Sequence, residues 1–282
     1  MSFTNSRGGK DKYPFEGMED PIHEFTLYIQ EIDDSSKVGL DKTILHLSRN
    51  HTVKKFKLEF EADSSPYDLP SSIFSLHHLT ELYLGWCRLD HQPTFDGFGS
   101  LTVLTLDFVM ISRNTLLHLL YNCPSLKSFT LLMLEEQILG DEQSDMIELF
   151  ECLPLIERLT VWSEISSWFV PDLVPQELPT SLIHLKYFRF TQMSFHDGYR
   201  LTFLAVLIKS SPKLEKIELE IDTNCICDPE EYDEYHSDVW LAHLSDVWLE
   251  HLSHLKLEYF SNLEPELEFV KFILARSPKL KK

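Results

Sequence analysis

Basic residues are scarce in this sequence: 25 Lys and Arg stand against 45 Asp and Glu, a formal net charge of -20 over 282 residues. A field of that sign repels nucleic acid and anionic lipid, so neither is expected as a partner. Long apolar runs are also missing. No stretch approaches the length that spans a bilayer, and the opening MSFTNSRGGKDKYPFEGMED lacks the apolar core of a signal peptide. Cysteine is sparse, and Cys87, Cys123, Cys152, Cys225 and Cys227 are odd in number and scattered, unlike a disulfide framework. The expected location is a reducing one, cytoplasmic or nuclear, with no membrane association.

Catalytic signatures are absent too. There is no Gly-x-Ser-x-Gly elbow and no cysteine-histidine signature, and Gly8-Gly9-Lys10 lacks the upstream Gly and the following Ser or Thr of a phosphate-binding loop. Cys225, Cys227, His251 and His254 have the donor types of a tetrahedral zinc site. The Cys-x-Cys spacing is unusual, however, and His254 falls at an outward strand position, so no metal is expected. The acidic run from Asp228 to Glu234 lacks the frame of a calcium loop and reads as a solvated loop. No enzyme and no cofactor are expected.

What the sequence does have is repetition. LIKSSPKLEKIEL, Leu207 to Leu219, is echoed by FILARSPKLKK, Phe272 to Lys282. Apolar residues at positions 1, 4 and 6 recur in Ile22-Phe25-Leu27, Val53-Phe56-Leu58, Leu79-Leu82-Leu84, Leu101-Leu104-Leu106 and Leu126-Phe129-Leu131. They continue in Ile156-Leu159-Val161, Leu185-Phe188-Phe190, Leu214-Ile217-Leu219 and Leu252-Leu255-Leu257. The intervals are irregular, roughly 22 to 38 residues, around the leucine-rich-repeat length. The longest contains a tandem duplication, SDVWLAHL (Ser237 to Leu244) followed by SDVWLEHL (Ser245 to Leu252), read as a lengthened returning segment.

Between strands, Ser112 and Ser144 precede apolar runs as helix caps do. Pro124, Pro154, Pro212 and Pro278 each stand two residues before the next first position, where proline ends a helix and lets a strand begin. These features predict an α/β fold: a leucine-rich-repeat solenoid with a concave parallel sheet and helices or irregular turns on the convex side. The expected organisation is a flexible leader over 1–20, the solenoid over 21–244 and a partial C-terminal repeat over 245–282.

Four further stretches are Leu47-Ser48-Arg49-Asn50, Leu69-Pro70-Ser71-Ser72-Ile73-Phe74, Pro93-Thr94-Phe95 with Phe98, and Glu266-Leu267-Glu268-Phe269-Val270-Lys271-Phe272. In this order the chain resembles the plant F-box/FBD/LRR-repeat proteins from Pro21 to its end, the last stretch being like the family's FBD segment. The resemblance implies the substrate-recruiting subunit of a cullin-based ubiquitin ligase, in which the repeats hold a target and an F-box grips a Skp-type adaptor. The polar leader has neither the length nor the apolar helices of an F-box, so adaptor binding is expected only where an F-box is present elsewhere. The FBD-like segment stops at Lys282, before the strand begun by Leu280 is complete; a fragment, a truncated gene model and a regulatory short form all fit.

In a strand, positions 3 and 5 face opposite to 4 and 6. Across the nine copies these outward positions hold six basic and three acidic residues, an excess of positive charge on an acidic protein. Lys57, Tyr83, Arg158, Tyr187, Arg189 and Lys216 are the candidate partner-binding residues on the concave face, with Arg158, Tyr187, Arg189 and Lys216 at its centre. Arginine pairs bidentately with carboxylate and phosphate, so the expected partner is a protein carrying an acidic or phosphorylated segment. Alternative readings are a decoy or scaffold that binds targets without an adaptor, and the sensing repeats of an intracellular immune receptor.

Overall fold

A computed structural model describes residues 2–4, 22–30, 34–50, 52–61, 66–89, 98–132, 146–163, 165, 178, 182–223, 244 and 246–280. From the third copy on, each repeat starts from one turn. The N–H of the first apolar position donates three residues back: Leu79 to Leu76, Leu101 to Phe98, Leu126 to Cys123, Ile156 to Leu153 and Leu185 to Leu182. Leu214 to Ser211, Leu252 to Leu249 and Leu280 to Ser277 repeat it, all at 3.0–3.2 Å. Pro124, Pro154, Pro212 and Pro278 occupy the second position of this turn, where a fixed φ is favourable and the N–H is not needed. His77, Gly99, Ile183 and Glu250 take the same place elsewhere, so proline assists the turn without being required.

The strands are β1 (Ser2–Thr4), β2 (Glu24–Ile29), β3 (Lys55–Phe60), β4 (Tyr67–Asp68), β5 (Glu81–Gly85), β6 (Cys87–Leu89) and β7 (Val103–Asp107). They continue as β8 (Met110–Ile111), β9 (Ser128–Leu132), β10 (Arg158–Trp162), β11 (Tyr187–Met193), β12 (Lys216–Ile221) and β13 (His254–Glu258). The helices are α1 (Asp34–Asn50), α2 (Arg113–Tyr121), α3 (Met146–Glu151), α4 (Gly198–Ser210) and α5 (Glu264–Arg276), with a 3-10 helix at Ser71–Ser75. As the polar residue before the apolar run predicts, Ser112 caps α2 by accepting from the Thr115 N–H at 3.2 Å.

The chain divides within β9 into two compact units: residues 1–126 with 130–141, and residues 127–129 with 142–282. In unit 1 the strands pair in parallel in the order β1, β2, β3, β5, β7. The register is that of the sequence pattern: Phe25, Phe56, Leu82 and Leu104 lie in one row, and Leu27, Leu58, Leu84 and Leu106 in the next. Of the segment expected as a leader, Ser2–Thr4 form a strand beside β2, and residues 5–20 lie outside the described residues. In unit 2, β10 to β13 pair in sequence order, aligning Leu159, Phe188, Ile217 and Leu255. One backbone device recurs between strands: a single carbonyl accepts from two successive N–H groups of the next strand, as Glu157 does from Lys186 and Tyr187.

The apolar rows are the cores of their units. All the residues of the repeating pattern are buried except Leu27, Leu255 and Leu257, which are partly exposed. Each fully buried Phe or Leu contributes about 1.5–3 kcal/mol relative to exposure. Cys87 and Cys123 belong to these cores as free thiols; burial pushes Cys123 up to about 12, so neither is a ready nucleophile. At the end of unit 2, β13 is an edge strand among the described residues, and Tyr259, Phe260 and Leu263 beyond it are exposed.

Unit 1 has a second parallel sheet, β4, β6 and β8, which the repeat pattern does not announce. Its Tyr67 hydroxyl donates to Asp41 of α1, and its ring packs on Phe60 at 4.9 Å. To pass from the main sheet into this one, the chain turns sharply after β5 and β7. Trp86 (φ 55°) and Phe108 (φ 53°) make those corners in the left-handed region that bulky side chains seldom adopt.

Candidate functional site

The outward faces of the strands are where side chains are free of the cores, and two clusters form there, one in each unit. In unit 2 the register sets Arg158, Tyr187, Lys216 and His254 side by side, and Arg189, Glu218 and Lys256 in the next outward row. The Tyr187 ring is covered from both neighbouring strands. The Arg158 guanidinium lies 4.2 Å from its centroid and the Lys216 ammonium 5.5 Å. The Tyr187 hydroxyl donates to Glu218 at 2.6 Å, and burial together with that carboxylate pushes the phenol up to about 12.

Arg189 is committed within the protein. Its guanidinium contacts Glu220 at 2.8 Å, Glu258 at 3.1 Å and Glu218 at 3.5 Å, spanning β11, β12 and β13. Lys216 pairs with Glu218 at 2.8 Å, and Lys256 pairs with Glu258. Burial opposes the charge on Glu218, but hydrogen bonds from Lys216 and Tyr187 hold its carboxyl below the usual range. Arg158 differs from these cations: it is exposed, and among the described residues it has no carboxylate partner.

In unit 1, Lys57 lies 4.1 Å over the centroid of Tyr83, which it faces across β3 and β5. Tyr83 donates to Asp107 at 2.9 Å, and Lys57 pairs with Glu59 at 2.9 Å. The tyrosine reaches Asp107 by lying over Gly85, where a Cβ would stand 3.2 Å from Tyr83 Cε1 and 3.2 Å from Glu59 Cγ. Burial is the main cause that raises the Asp107 carboxyl above the usual range, opposed by the Tyr83 hydrogen bond and aided by Glu59.

Thus Lys57 and Tyr83 meet in unit 1, and Arg158, Tyr187, Arg189 and Lys216 meet in unit 2. The outward positive charge is largely neutralised because each strand has one more outward position, the seventh. There Glu59, Glu220 and Glu258 supply most of the carboxylates that pair the cations, and Asp107 the acceptor of Tyr83; reading one residue further along each copy would have found them. Trp86 and Phe108, stacked at 4.0 Å with planes 13° apart, follow that seventh position and lie outside the repeat pattern altogether. Of the rejected zinc donors, Cys225 and Cys227 lie outside the described residues, and no group of three potential metal ligands occurs among those described.

These repeats have known counterparts. A family model described as FBD-associated F-box protein At5g56370, LRR repeats, matches residues 42–141. The F-box/FBD/LRR-repeat protein At1g13570 of Arabidopsis thaliana is 24% identical over 304 aligned residues, covering 92% of this chain and 71% of that protein. The chain is similar to F-box/FBD/LRR-repeat proteins. The similarity is of low identity over broad coverage, as expected where the repeat fixes mainly the apolar positions. Among the described residues no helix is long and apolar enough to cross a membrane.

Proposed function

We propose that this chain is a protein-binding leucine-rich-repeat solenoid that presents targets for ubiquitination when joined to an F-box, and that it holds them on the outward face of β10, β11 and β12. The similarity to F-box/FBD/LRR-repeat proteins supports the class of function. The observation that carries the placement is Tyr187, held between Arg158 and Lys216. Tyrosine and arginine are the usual anchors of interfaces, and a ring already clamped by its neighbours loses little freedom when a partner covers it.

An acidic or phosphorylated segment of the target meets Arg158 first. To reach Arg189 it would have to displace Glu220 or Glu258, so one cation rather than four sets the charge preference. The test is capture by the immobilised chain of target proteins crosslinked in plant extract, compared with Arg158→Ala and Tyr187→Ala chains of unchanged thermal stability. Loss of a defined set of targets with either variant is expected. An identical set with both variants would move the binding surface elsewhere.

A further inference from the structure

The outward end of unit 1 is unlike the unit 2 face in charge and in shape. Glu59 and Asp107 face outward at the ends of β3 and β7, with only Lys57 to balance them. Asp107 has Tyr83 as its hydrogen-bond donor, and among the described residues it has no cation within ion-pair distance. Directly beyond Gly85 and Asp107 stand the stacked rings of Trp86 and Phe108, both partly exposed.

Those two residues hold a backbone conformation that costs a bulky side chain about 1–3 kcal/mol each, whereas glycine or asparagine would make the same corner more cheaply. Stacking returns about 0.5–1.5 kcal/mol for the pair, less than the combined strain. Aromatic rings kept at a strained, accessible corner beside two carboxylates, of which Asp107 has no cation partner among the described residues, match what a cationic side chain requires. The ring faces attract it, and the carboxylates supply charge-assisted hydrogen bonds. Lys57 over Tyr83 shows one such cation already seated on this face from within the chain.

The geometry points to a second binding site at the end of β5 and β7, formed by Glu59, Asp107, Trp86 and Phe108, which takes a lysine or arginine side chain of a protein partner. The net charge of -20 draws a basic segment toward it from solution. This site is independent of the face around Tyr187, so either can fail alone. It sets a charge preference opposite to that of Arg158.

The probe is a capped tetra-arginine peptide titrated calorimetrically into the full chain at low salt, with tetra-glutamate as its opposite. Nonspecific attraction to an acidic protein is controlled by charge: Glu59→Gln with Asp107→Asn removes the same two charges as Glu151→Gln with Glu250→Gln, which are exposed in unit 2. At least a tenfold loss of tetra-arginine affinity is expected for the first pair and less than twofold for the second. Trp86→Leu should also weaken binding at least tenfold at unchanged net charge; if that variant unfolds, the near-isosteric carboxamide pair still decides. Equal losses from the two pairs, or no tetra-arginine binding by the parent chain, would overturn the assignment.

Discussion

Lys57, Tyr83 and Asp107 in unit 1 are arranged relative to one another as Arg158, Tyr187 and Glu218 are in unit 2, two residues further along their repeats. In each, a cation on one strand covers a tyrosine directly opposite on the next, and the tyrosine donates to a carboxylate one strand further and two residues along. The surroundings diverge at the residue two after the tyrosine. In unit 1 this is Gly85, which leaves room for the tyrosine to lean but brings no charge. In unit 2 it is Arg189, which ties together three carboxylates on two strands. The same cation–tyrosine–carboxylate arrangement therefore lies in a cross-linked, charge-balanced face in one unit and beside an acidic, aromatic corner in the other, with Arg189 and Gly85 respectively two residues after the tyrosine.

Arg189→Met breaks the comparison most strongly, because it leaves Glu218, Glu220 and Glu258 without their shared cation. We expect a loss of about 2 kcal/mol in urea unfolding followed by Tyr and Trp fluorescence. This is below the ~3–5 kcal/mol of a fully buried pair because the Arg189 side chain is 30% exposed. Arg189→Lys should recover less than half, since an ammonium cannot span three acceptors with the fork of a guanidinium. A loss under about 0.5 kcal/mol for Arg189→Met would mean that the three carboxylates are adequately solvated without it.

Gly85→Ala tests the other branch. The new Cβ at 3.2 Å from both Tyr83 Cε1 and Glu59 Cγ forces the ring off its path to Asp107. The expected cost is about 1 kcal/mol, from mild overpacking and a weakened hydrogen bond. Tyr83→Ala in the same chain should remove the larger part of that cost, leaving only the contact with the flexible Glu59 side chain. A double-mutant cycle showing no coupling between the two positions would mean that Gly85 is not what admits the tyrosine.

Much of this was legible because a parallel repeat converts sequence position directly into spatial row. Once Phe56, Leu82 and Leu104 are read as fourth positions, their alignment follows, and with it the pairing of Lys57 with Tyr83 and of Arg158 with Tyr187. The fold class and the membership of both clusters came from that rule. What it hid was the state of the cations. An ion pair such as Arg189 with Glu258 joins residues on strands two apart and depends on side-chain length, which no apolar period encodes. The corners at Trp86 and Phe108 were hidden for a different reason: turn propensity favours glycine and asparagine there, so aromatic residues give no local signal of a turn. Strands β6 and β8 follow those corners, and the short sheet they form with β4 was missed with them.

The smallest expected effect separates the two faces by sign. Asp107 is raised in the folded protein, so the native state binds its proton more tightly than the unfolded chain. Its ionisation therefore costs stability as pH rises from the unfolded aspartate value, about 3.9, through the raised folded one. Glu218 is lowered, so its contribution is present above the unfolded glutamate value, about 4.3, and is lost as pH falls through the lower folded one. At pH 7, Asp107→Asn should stabilise by up to about 0.5 kcal/mol while keeping an acceptor for Tyr83, whereas Glu218→Gln should destabilise by about 1 kcal/mol. Both differences should shrink as pH falls, that of Asp107 on approaching its unfolded value and that of Glu218 only on reaching its lowered folded one. Urea midpoints of the three chains at pH 3, 5 and 7 measure this; a destabilising Asp107→Asn at pH 7 would show that unit 1 already balances its own charge, and the acidic character assigned to its outward face would be lost.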